Sequence, residues 1–422
     1  MQSLLDLFLK QLIKRGRLTV RWPNGSSTEY GDSGYADSPG GADRAAPAIA
    51  IETWRTVRRI TLNPGLAVGE AYMDGSLKPL DCTIYDVLDV LTGNLGMFGE
   101  RHNPVLYLRH TAGTLVRRLR QMNTAPRARR NVAHHYDLNG RLYSLFLDRD
   151  RQYSCAYFPR GDETLDEAQA AKKRHIAAKL RLDRPGLTVL DVGCGWGGMA
   201  LTLARDFGAR VTGITLSTEQ LAEARARAEA EGLSDRVRFE LQDYRAMTGQ
   251  FDRIVSVGMF EHVGVGHFGA FFAMMGRCLK QDGVALLHAI GRSDGPGTTN
   301  AWLAKYIFPG GYSPALSETL AAVEKSGLVA TDIEVLRLHY AETLRHWRRR
   351  FAANRDAIAA LYDERFCRMF EFYLAGSELA FRHQGHMVAQ IQLTHDQAAV
   401  PLIRDYMVDA ERATARAREA VR

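Results

Sequence analysis

The chain has no apolar run of about 18 residues, so the sequence offers no candidate membrane-spanning helix. Cysteine is scarce. There are five in 422 residues, at positions 82, 155, 194, 278 and 367, and no C-x-x-C occurs. That odd, scattered set implies neither a disulfide framework nor a zinc site, and no other metal site is expected. It fits a reduced cytoplasmic setting. The order of a signal peptide is also missing. In M-Q-S-L-L-D-L-F-L-K-Q-L-I-K-R-G the basic residues follow the apolar part, and Asp6 interrupts it. Acidic charge is in deficit: 48 Asp and Glu against 55 Lys and Arg leave a net +7, with a pI near 9.1. The excess suits an anionic partner, either nucleic acid or an acidic membrane surface. No N-P-P-Y or related flipped-base motif and no RNA-binding module is present, which argues against nucleic acid.

What is present centres on L-D-V-G-C-G-W-G-G-M-A at 190–200. Leu187 to Val192 is apolar and β-branched, and reads as a buried strand. Gly193, Gly195, Gly197 and Gly198 follow, and a helix pattern then opens. Glycines at such a turn let a ligand come close to the backbone. Gly193, Gly195 and Gly198 satisfy G-x-G-x-x-G, which by itself suggests a dinucleotide. Asp191 argues otherwise, because a carboxylate at the strand end would repel a pyrophosphate and suits a cation. A dinucleotide site also wants an acid about 20 residues on. Here the second strand ends in Thr215-Leu216-Ser217. S-adenosylmethionine, which carries a sulfonium and an ammonium, fits better.

The length predicts more than one domain. Leu5, Phe8, Leu9, Leu12 and Ile13 have helical spacing, which predicts an amphipathic helix docked on its own domain, with an interfacial membrane helix as the alternative. Arg17 to Trp22 and Ala48 to Asn63 read as strands around a mobile, Gly- and Asp-rich loop at Gly31 to Pro47. Ile84 to Leu91 and Val105 to Leu119 read as helices. The basic stretch 117–130 reads as a linker. Beyond residue 163, strands (187–192, 209–215, 237–241, 251–257, 283–290, 329–338) alternate with helices (164–181, 198–207, 217–231, 266–280, 314–326). That pattern predicts a doubly wound parallel sheet with ligands beyond the strand ends, near the switch in strand order. The interval 341–383 reads as helical, and His386 to Leu393 as the last strand.

These residues resemble the cyclopropane-fatty-acyl-phospholipid synthases and their mycolic-acid relatives over about residues 63–394. The resemblance is carried by blocks in order: G-E-A-Y-M-D-G (69–75), H-Y-D-L (135–138), Q-Y-S-C-A-Y-F (152–158), L-D-E-A-Q-A-A-K (165–172), L-D-V-G-C-G-W-G (190–197), G-I-T-L-S-T-E-Q (213–220), F-E-H-V-G (260–264), L-L-H-A-I (286–290), I-F-P-G-G (307–311) and H-Y-A-E-T-L-R-H-W (339–347). Residues 24–47 carry no family pattern. The resemblance implies an α/β, doubly wound, seven-stranded S-adenosylmethionine-dependent methyltransferase fold. A smaller α+β N-terminal domain, for lipid binding or oligomerisation, would occupy 1–125. The catalytic domain would occupy 126–422, with a helical acyl-binding insertion at about 341–383. The first 125 residues match the phospholipid-acting branch.

For the methyl donor, the resemblance implies Tyr153 and Ser154 at the methionine end, and Asp191, Gly193 and Gly195 in the glycine loop. Thr215, Leu216 and Gln220 would lie by the ribose, and Asp243 and Tyr244 by the adenine. An amide and hydroxyls can pair with ribose hydroxyls in place of an acid, and Tyr244 offers an aromatic face. The acceptor it implies is a cis double bond of an unsaturated acyl chain in a membrane phospholipid. Its π electrons attack the methyl, and the resulting carbocation loses a proton as the ring closes. The base implied is bicarbonate, held by Glu261, His288, Tyr340 and the backbone around Cys155 and Ile290. Such an ion donates one hydrogen bond to a carboxylate and accepts others. Cys155 as a nucleophile is the weaker reading, because no covalent step is needed. His262 reads as structural. Phe158, Phe260, Phe308 and Tyr312 read as core or as an acyl tunnel.

The expected setting is cytoplasmic, peripheral at the inner membrane. Docking charge would come from the arginines at 117–130 or from Arg345, Arg348, Arg349 and Arg350. A homodimer is compatible. One alternative product is a methyl- or methylene-branched chain from the same carbocation. A more distant alternative is a nucleic-acid methyltransferase, and another is a non-catalytic lipid-binding protein.

Overall fold

A computed structural model describes residues 1–32, 46–97, 121 and 140–419, with side chains through 414. The described residues form two compact units. One gathers the N-terminal residues with Thr298–Pro309 and Leu344–His386; the other holds 140–297, Gly310–Thr343 and the chain from Met387 on. Most of the 341–383 interval, read from sequence as an insertion in the catalytic domain, therefore clusters with the N-terminal residues. The boundary drawn near residue 125, the 117–130 linker apart from Gln121, the 105–119 helix, the H-Y-D-L block and most of the Gly31 to Pro47 loop lie outside the described residues.

The first unit is built on α1 (Gln2–Leu12) and a four-stranded sheet of order β2-β1-β3-β4. Its strands are β1 (Gly16–Arg21), β2 (Ser27–Asp32), β3 (Ala48–Ile51) and β4 (Leu77–Leu80). Leu5, Leu9 and Ile13 recur at helical spacing and are buried in this unit's core with Val20, Trp22 and Val57. The docked reading of α1 is therefore the correct one, although Leu4 and Leu7 stay exposed.

The interval 48–63 corrects the sequence reading. Only Ala48–Ile51 is strand, and α2 (Trp54–Leu62) follows. Thr53 is the reason: its side chain accepts from the Thr56 amide, an N-cap that starts a helix despite the β-branched residues beyond it. Then come α3 (Pro64–Met73) and α4 (Ile84–Leu95), the latter opened by a Thr83–Asp86 capping box.

The second unit begins with α5 (Gly140–Phe146) and α6 (Leu165–Lys179). Next come β5 (Thr188–Val192), α7 (Gly198–Phe207), β6 (Arg210–Thr215), α8 (Thr218–Ala230), β7 (Val237–Leu241), β8 (Phe251–Val257), α9 (Phe268–Cys278) and β9 (Leu279–Arg292). The short α10 (Ala301–Tyr306) belongs to the first unit. The chain continues through α11 (Leu316–Glu324), β10 (Val329–Leu336), α12 (His339–Ala353), α13 (Arg355–Leu361), α14 (Glu364–His383), β11 (His386–Thr394) and α15 (Tyr406–Glu419).

The seven-stranded sheet has the order β10-β11-β9-β8-β5-β6-β7. β7, β6, β5, β8 and β9 run parallel, and β10 pairs antiparallel with β11. This is the doubly wound sheet that the alternation predicted, with the seven strands that the resemblance implied; the antiparallel β10–β11 pair departs from the all-parallel expectation. Strand β9 starts at Leu279, inside the helix expected over 266–280. Strand order reverses beside β5: β6 lies on one side and β8 on the other. The crevice beyond the carboxyl ends of β5 and β8 is therefore where such a sheet binds ligands.

Candidate active site

Asp191 sits on β5, is almost fully buried, and its Oδ2 has no hydrogen-bond partner among the described residues. Burial pushes its carboxyl up to about 7, against the downward pull of the Lys172 ammonium and the Ala200 amide. A buried carboxylate whose Oδ2 is left without a partner among the described residues favours a cationic ligand. The glycines that follow divide into two kinds. A Cβ on Gly193 would meet Met259 at 2.8 Å, and one on Gly197 would meet Phe239 at 2.6 Å, so these are packing positions. Gly195, at φ +55, has nothing within 4 Å of that point. Among these glycines, only at Gly195 does the point a Cβ would occupy face open space.

Ser154 and Cys155 come to the same crevice on the segment before α6. The Ser154 Cβ lies 3.7 Å from the point a Cβ on Gly258 would occupy, just past β8. Two α6 side chains hold this segment. Gln169 Nε2 donates to the carbonyls of Gln152 at 3.2 Å and Ser154 at 2.9 Å. Lys172 Nζ donates to Gln152 Oε1 at 2.7 Å and Ser154 Oγ at 2.8 Å. Both side chains are buried, and burial pulls Lys172 down to about 8. Gln152, Gln169 and Lys172 were missed as site residues. The blocks Q-Y-S-C-A-Y-F and L-D-E-A-Q-A-A-K contain all three, but a Lys and a Gln in a charged helix read as a solvated face. Tyr153 packs edge-on to Tyr143 and Phe146. The Cys155 thiol is buried and donates to the Ala156 carbonyl at 3.2 Å, and burial raises it well above its ordinary value. An inert thiol is the result.

Beyond β6, Thr215 Oγ1 donates to Gln220 Oε1 at 3.0 Å, and Ser217 caps α8 by accepting from the Gln220 amide. Both partners are buried, and Leu216 between them is half-buried. The adenine assignments fare differently. Asp243 receives Arg245 through Nε at 2.9 Å and Nη2 at 2.8 Å, so its carboxylate is answered within the chain. Tyr244 is part of the core, edge-on to Phe271 with the Arg245 guanidinium 5.4 Å from its ring centre.

Glu261 and His288 follow β8 and lie on β9. Glu261 Oε1 accepts from the Ile290 amide at 2.6 Å, while Oε2 is buried without a partner among the described residues. Burial pushes this carboxyl up to about 7. Of the backbone around Ile290 that the resemblance assigned to an anion, the N–H is thus held by Glu261. The Gly258 amide donates to the His288 carbonyl at 2.9 Å, which locks β8 to β9 beside the crevice. His288 Nδ1 meets the Gln390 side-chain amide at 3.1 Å, and Nε2 is buried without a partner. Burial first, then the Lys172 and Lys179 charges, hold the ring neutral. Gln390, on β11, was also missed: nothing local marks a Gln in an apolar strand. Tyr340 is buried at the start of α12.

Phe260 stacks on Phe268 at 4.4 Å and belongs to the core with Tyr312. Phe158 is buried, and Phe308 packs on Tyr373 in the first unit. Of the arginines read as docking charge, Arg348 is committed within the first unit. It donates to Glu378 at 3.0 Å and lies 3.9 Å over the Tyr85 ring. No helix among the described residues is long and apolar enough to cross a membrane.

Residues 123–391 match the family described as mycolic acid cyclopropane synthetase. The chain is 44% identical over 258 residues to a probable fatty acid methyltransferase of Pseudomonas putida, covering 59% of this chain and 65% of that one. It is 39% identical over 348 residues to the cyclopropane-fatty-acyl-phospholipid synthase of Escherichia coli (strain K12), covering 82% and 88%. It is 38% identical over 363 residues to a tuberculostearic acid methyltransferase of Mycobacterium tuberculosis, covering 82% and 84%. Among solved structures, a mycolic acid cyclopropane synthase complexed with SAH and CTAB matches with a TM-score of 0.60 and 34% identity, over 63% of this chain and 97% of that one.

Proposed function

The chain belongs to the mycolic acid cyclopropane synthetase family and is an S-adenosylmethionine-dependent methyltransferase; from there we propose that it transfers a methylene group to the cis double bond of unsaturated acyl chains in membrane phospholipids, forming cyclopropane fatty acids. The observation that carries the chemistry is the pair of buried atoms Glu261 Oε2 and His288 Nε2, which have no partner among the described residues and lie just past β8 and, on β9, level with its carboxyl end. A phospholipid substrate is supported by the Escherichia coli relative, whose alignment of 348 residues is longer than the 269-residue match to the family.

The residues fit a methyl donor. The buried Asp191 carboxylate suits its cationic groups, Ser154 lies against Gly258, and the open backbone at Gly195 permits close approach. When bound, the donor supplies an electrophilic methyl group on a sulfonium. Thr215 and Gln220 would pair with ribose hydroxyls, since each has spare hydrogen-bonding capacity beyond their mutual contact.

The residues also fit a bicarbonate ion, which when bound would supply the base for ring closure. Glu261, His288 and Tyr340 would hold it, with backbone near Cys155. Glu261 is poised between protonation states near neutral pH and can accept a hydrogen bond at Oε2. The Gln390 contact fixes the imidazole plane and leaves Nε2 facing the site. The apolar core around Phe260 and Ala289 keeps these groups dry, which strengthens each interaction.

A net charge of +7 suits an anionic bilayer surface, so activity on anionic vesicles should fall with salt and change little on detergent-dispersed lipid. The test of function is mass spectrometry of lipids from cells expressing the protein or its His288→Ala variant. A gain of one CH₂ on unsaturated chains that then resists mild hydrogenation supports the ring. The same gain with hydrogen uptake identifies a methylene branch, the second reading, which the tuberculostearic acid methyltransferase relative keeps in view. Unchanged lipids would overturn both.

A further inference from the structure

A buried ammonium is costly unless something offsets its lost hydration. Lys172 is 0% exposed, and among the described residues no carboxylate pairs with its Nζ directly, although the Asp148, Asp150 and Asp191 charges act on it from farther off. Its acceptors are the neutral Gln152 Oε1 and Ser154 Oγ. Its neighbours on α6 differ: Lys173 pairs with Asp150, and Lys179 with Glu334. The contact at Ser154 also has a direction. An ammonium can only donate, so Ser154 Oγ must accept, and its own proton is directed elsewhere. No described group receives that proton. Gln169 holds the Ser154 carbonyl from the same helix and so fixes the backbone that carries the hydroxyl, while Lys172 holds its oxygen.

The crevice therefore presents two opposed features near each other in the fold. Asp191 is a buried acid without a partner at Oδ2, and Ser154 is a hydroxyl donor backed by a buried cation. Together they match a zwitterion. We propose that Lys172 is a positioning and specificity residue: it holds the Ser154 hydroxyl as a donor to the methionine carboxylate of S-adenosylmethionine and supplies that carboxylate's counter-charge. This rests on the donor-site reading above and adds a reason for selecting the zwitterionic methionine end.

The test compares S-adenosylmethionine with decarboxylated S-adenosylmethionine by calorimetry on the full-length protein at pH 7. Wild type should bind the carboxylated donor more tightly by roughly 10- to 100-fold, as a charge-assisted hydrogen bond in a buried site supplies. Lys172→Met should reduce that ratio to within about threefold of unity and leave affinity for the decarboxylated donor nearly unchanged. A purely structural lysine would weaken both ligands alike and preserve the ratio. Should Lys172→Met not fold, Lys172→Gln makes the same test, because it removes the charge and keeps a polar side chain of similar length. A wild-type ratio near one, or an undiminished ratio in either folded variant, overturns the proposal. Wild type that binds neither compound overturns the donor-site reading itself, a result distinct from loss of discrimination.

Discussion

Lys172 and Lys179 stand two turns apart on one face of α6, about 10 Å along the helix, and both are fully buried. Their surroundings differ. Lys179 pairs with Glu334 on β10 and has Asp332 Oδ1 at 3.6 Å. His175, between the two lysines, meets the same Glu334 at 2.6 Å and Glu411 of α15 at 3.0 Å. Arg404 answers Asp332 in turn. At this end every charge has its partner. At the Lys172 end the cation has neutral acceptors, and Asp191, Glu261 and His288 each keep a buried polar atom without a partner. Buried polar groups in native proteins are nearly always satisfied, so orphans near the strand ends are what the proposed ligand site would leave, and a closed network is what a structural role would leave.

The largest effect that would sharpen this contrast is catalytic. His288→Ala or Glu261→Gln should lower turnover by about 10²–10⁴-fold. The melting temperature and donor affinity should stay near wild type. Steady-state lipid assays with calorimetry check this, and full activity of His288→Ala in bicarbonate-free buffer would break the assignment. Next is Lys179→Met, which leaves Glu334 without its lysine. Breaking a buried pair in this way costs about 3–5 kcal/mol, to be read by urea denaturation. Donor affinity of the folded fraction should be unchanged. Lost donor binding at full stability would erase the distinction between the two ends.

A smaller effect is pH-linked. Burial opposes charge on His175, but Glu334 and Glu411 outweigh it and hold the imidazolium above its ordinary 6.5. Lys179 faces the same carboxylate, and Tyr157 stacks on the ring at 4.1 Å. A raised folded value means the contribution is complete below 6.5 and is lost as pH rises through the folded value. The stability difference between wild type and His175→Gln should therefore be greatest in mild acid and shrink toward alkaline pH. Glu334 has the opposite sign. Burial works against its ionisation, yet His175 and Lys179 bring it down to about 2, so its contribution is present above 4.5 and fades as pH falls toward 2. A difference that grows with pH would refute the His175 account. The smallest expected effect is Cys155→Ser. Activity should stay within a few fold, because the thiol is buried and un-ionised. Complete loss, with a trapped adduct on wild-type Cys155, would mean that the Lys172 end carries a nucleophile.

Much of the fold was legible locally. The alternation beyond residue 163 matched the strands and helices of the large sheet in chain order, because apolar β-branched runs and amphipathic helices follow from near-neighbour chemistry, whereas the order of strands across the sheet was not read from it. The exception at 48–63 is instructive. Ile51 to Ile60 is rich enough in β-branched residues to read as strand, and a single side-chain hydrogen bond at Thr53 turns it into helix. The site was half legible. Asp191, Ser154, Glu261 and His288 came from motif blocks, and the structure brings them to one end of the sheet. Gln152, Gln169, Lys172 and Gln390 did not, since each has an ordinary polar neighbourhood along the chain.

What the sequence by itself determined is the set of local elements: the strand, the glycine turn with left-handed backbone at Gly195, the capped helices and their order. Apolar patterning, glycine placement and capping side chains are carried by neighbouring residues, although the strands themselves are closed by hydrogen bonds to distant partners such as β6 and β8. What only the tertiary structure decided is which polar groups are deprived of water. The stripe Gln169, Lys172, His175 and Lys179 looks like a solvated helix face until the 152–155 segment, β10 and α15 cover it. Charge state, hydrogen-bond direction and the difference between a structural and a ligand-facing lysine all follow from that covering, because the cost of a charge depends on what surrounds it rather than on what precedes it in the chain.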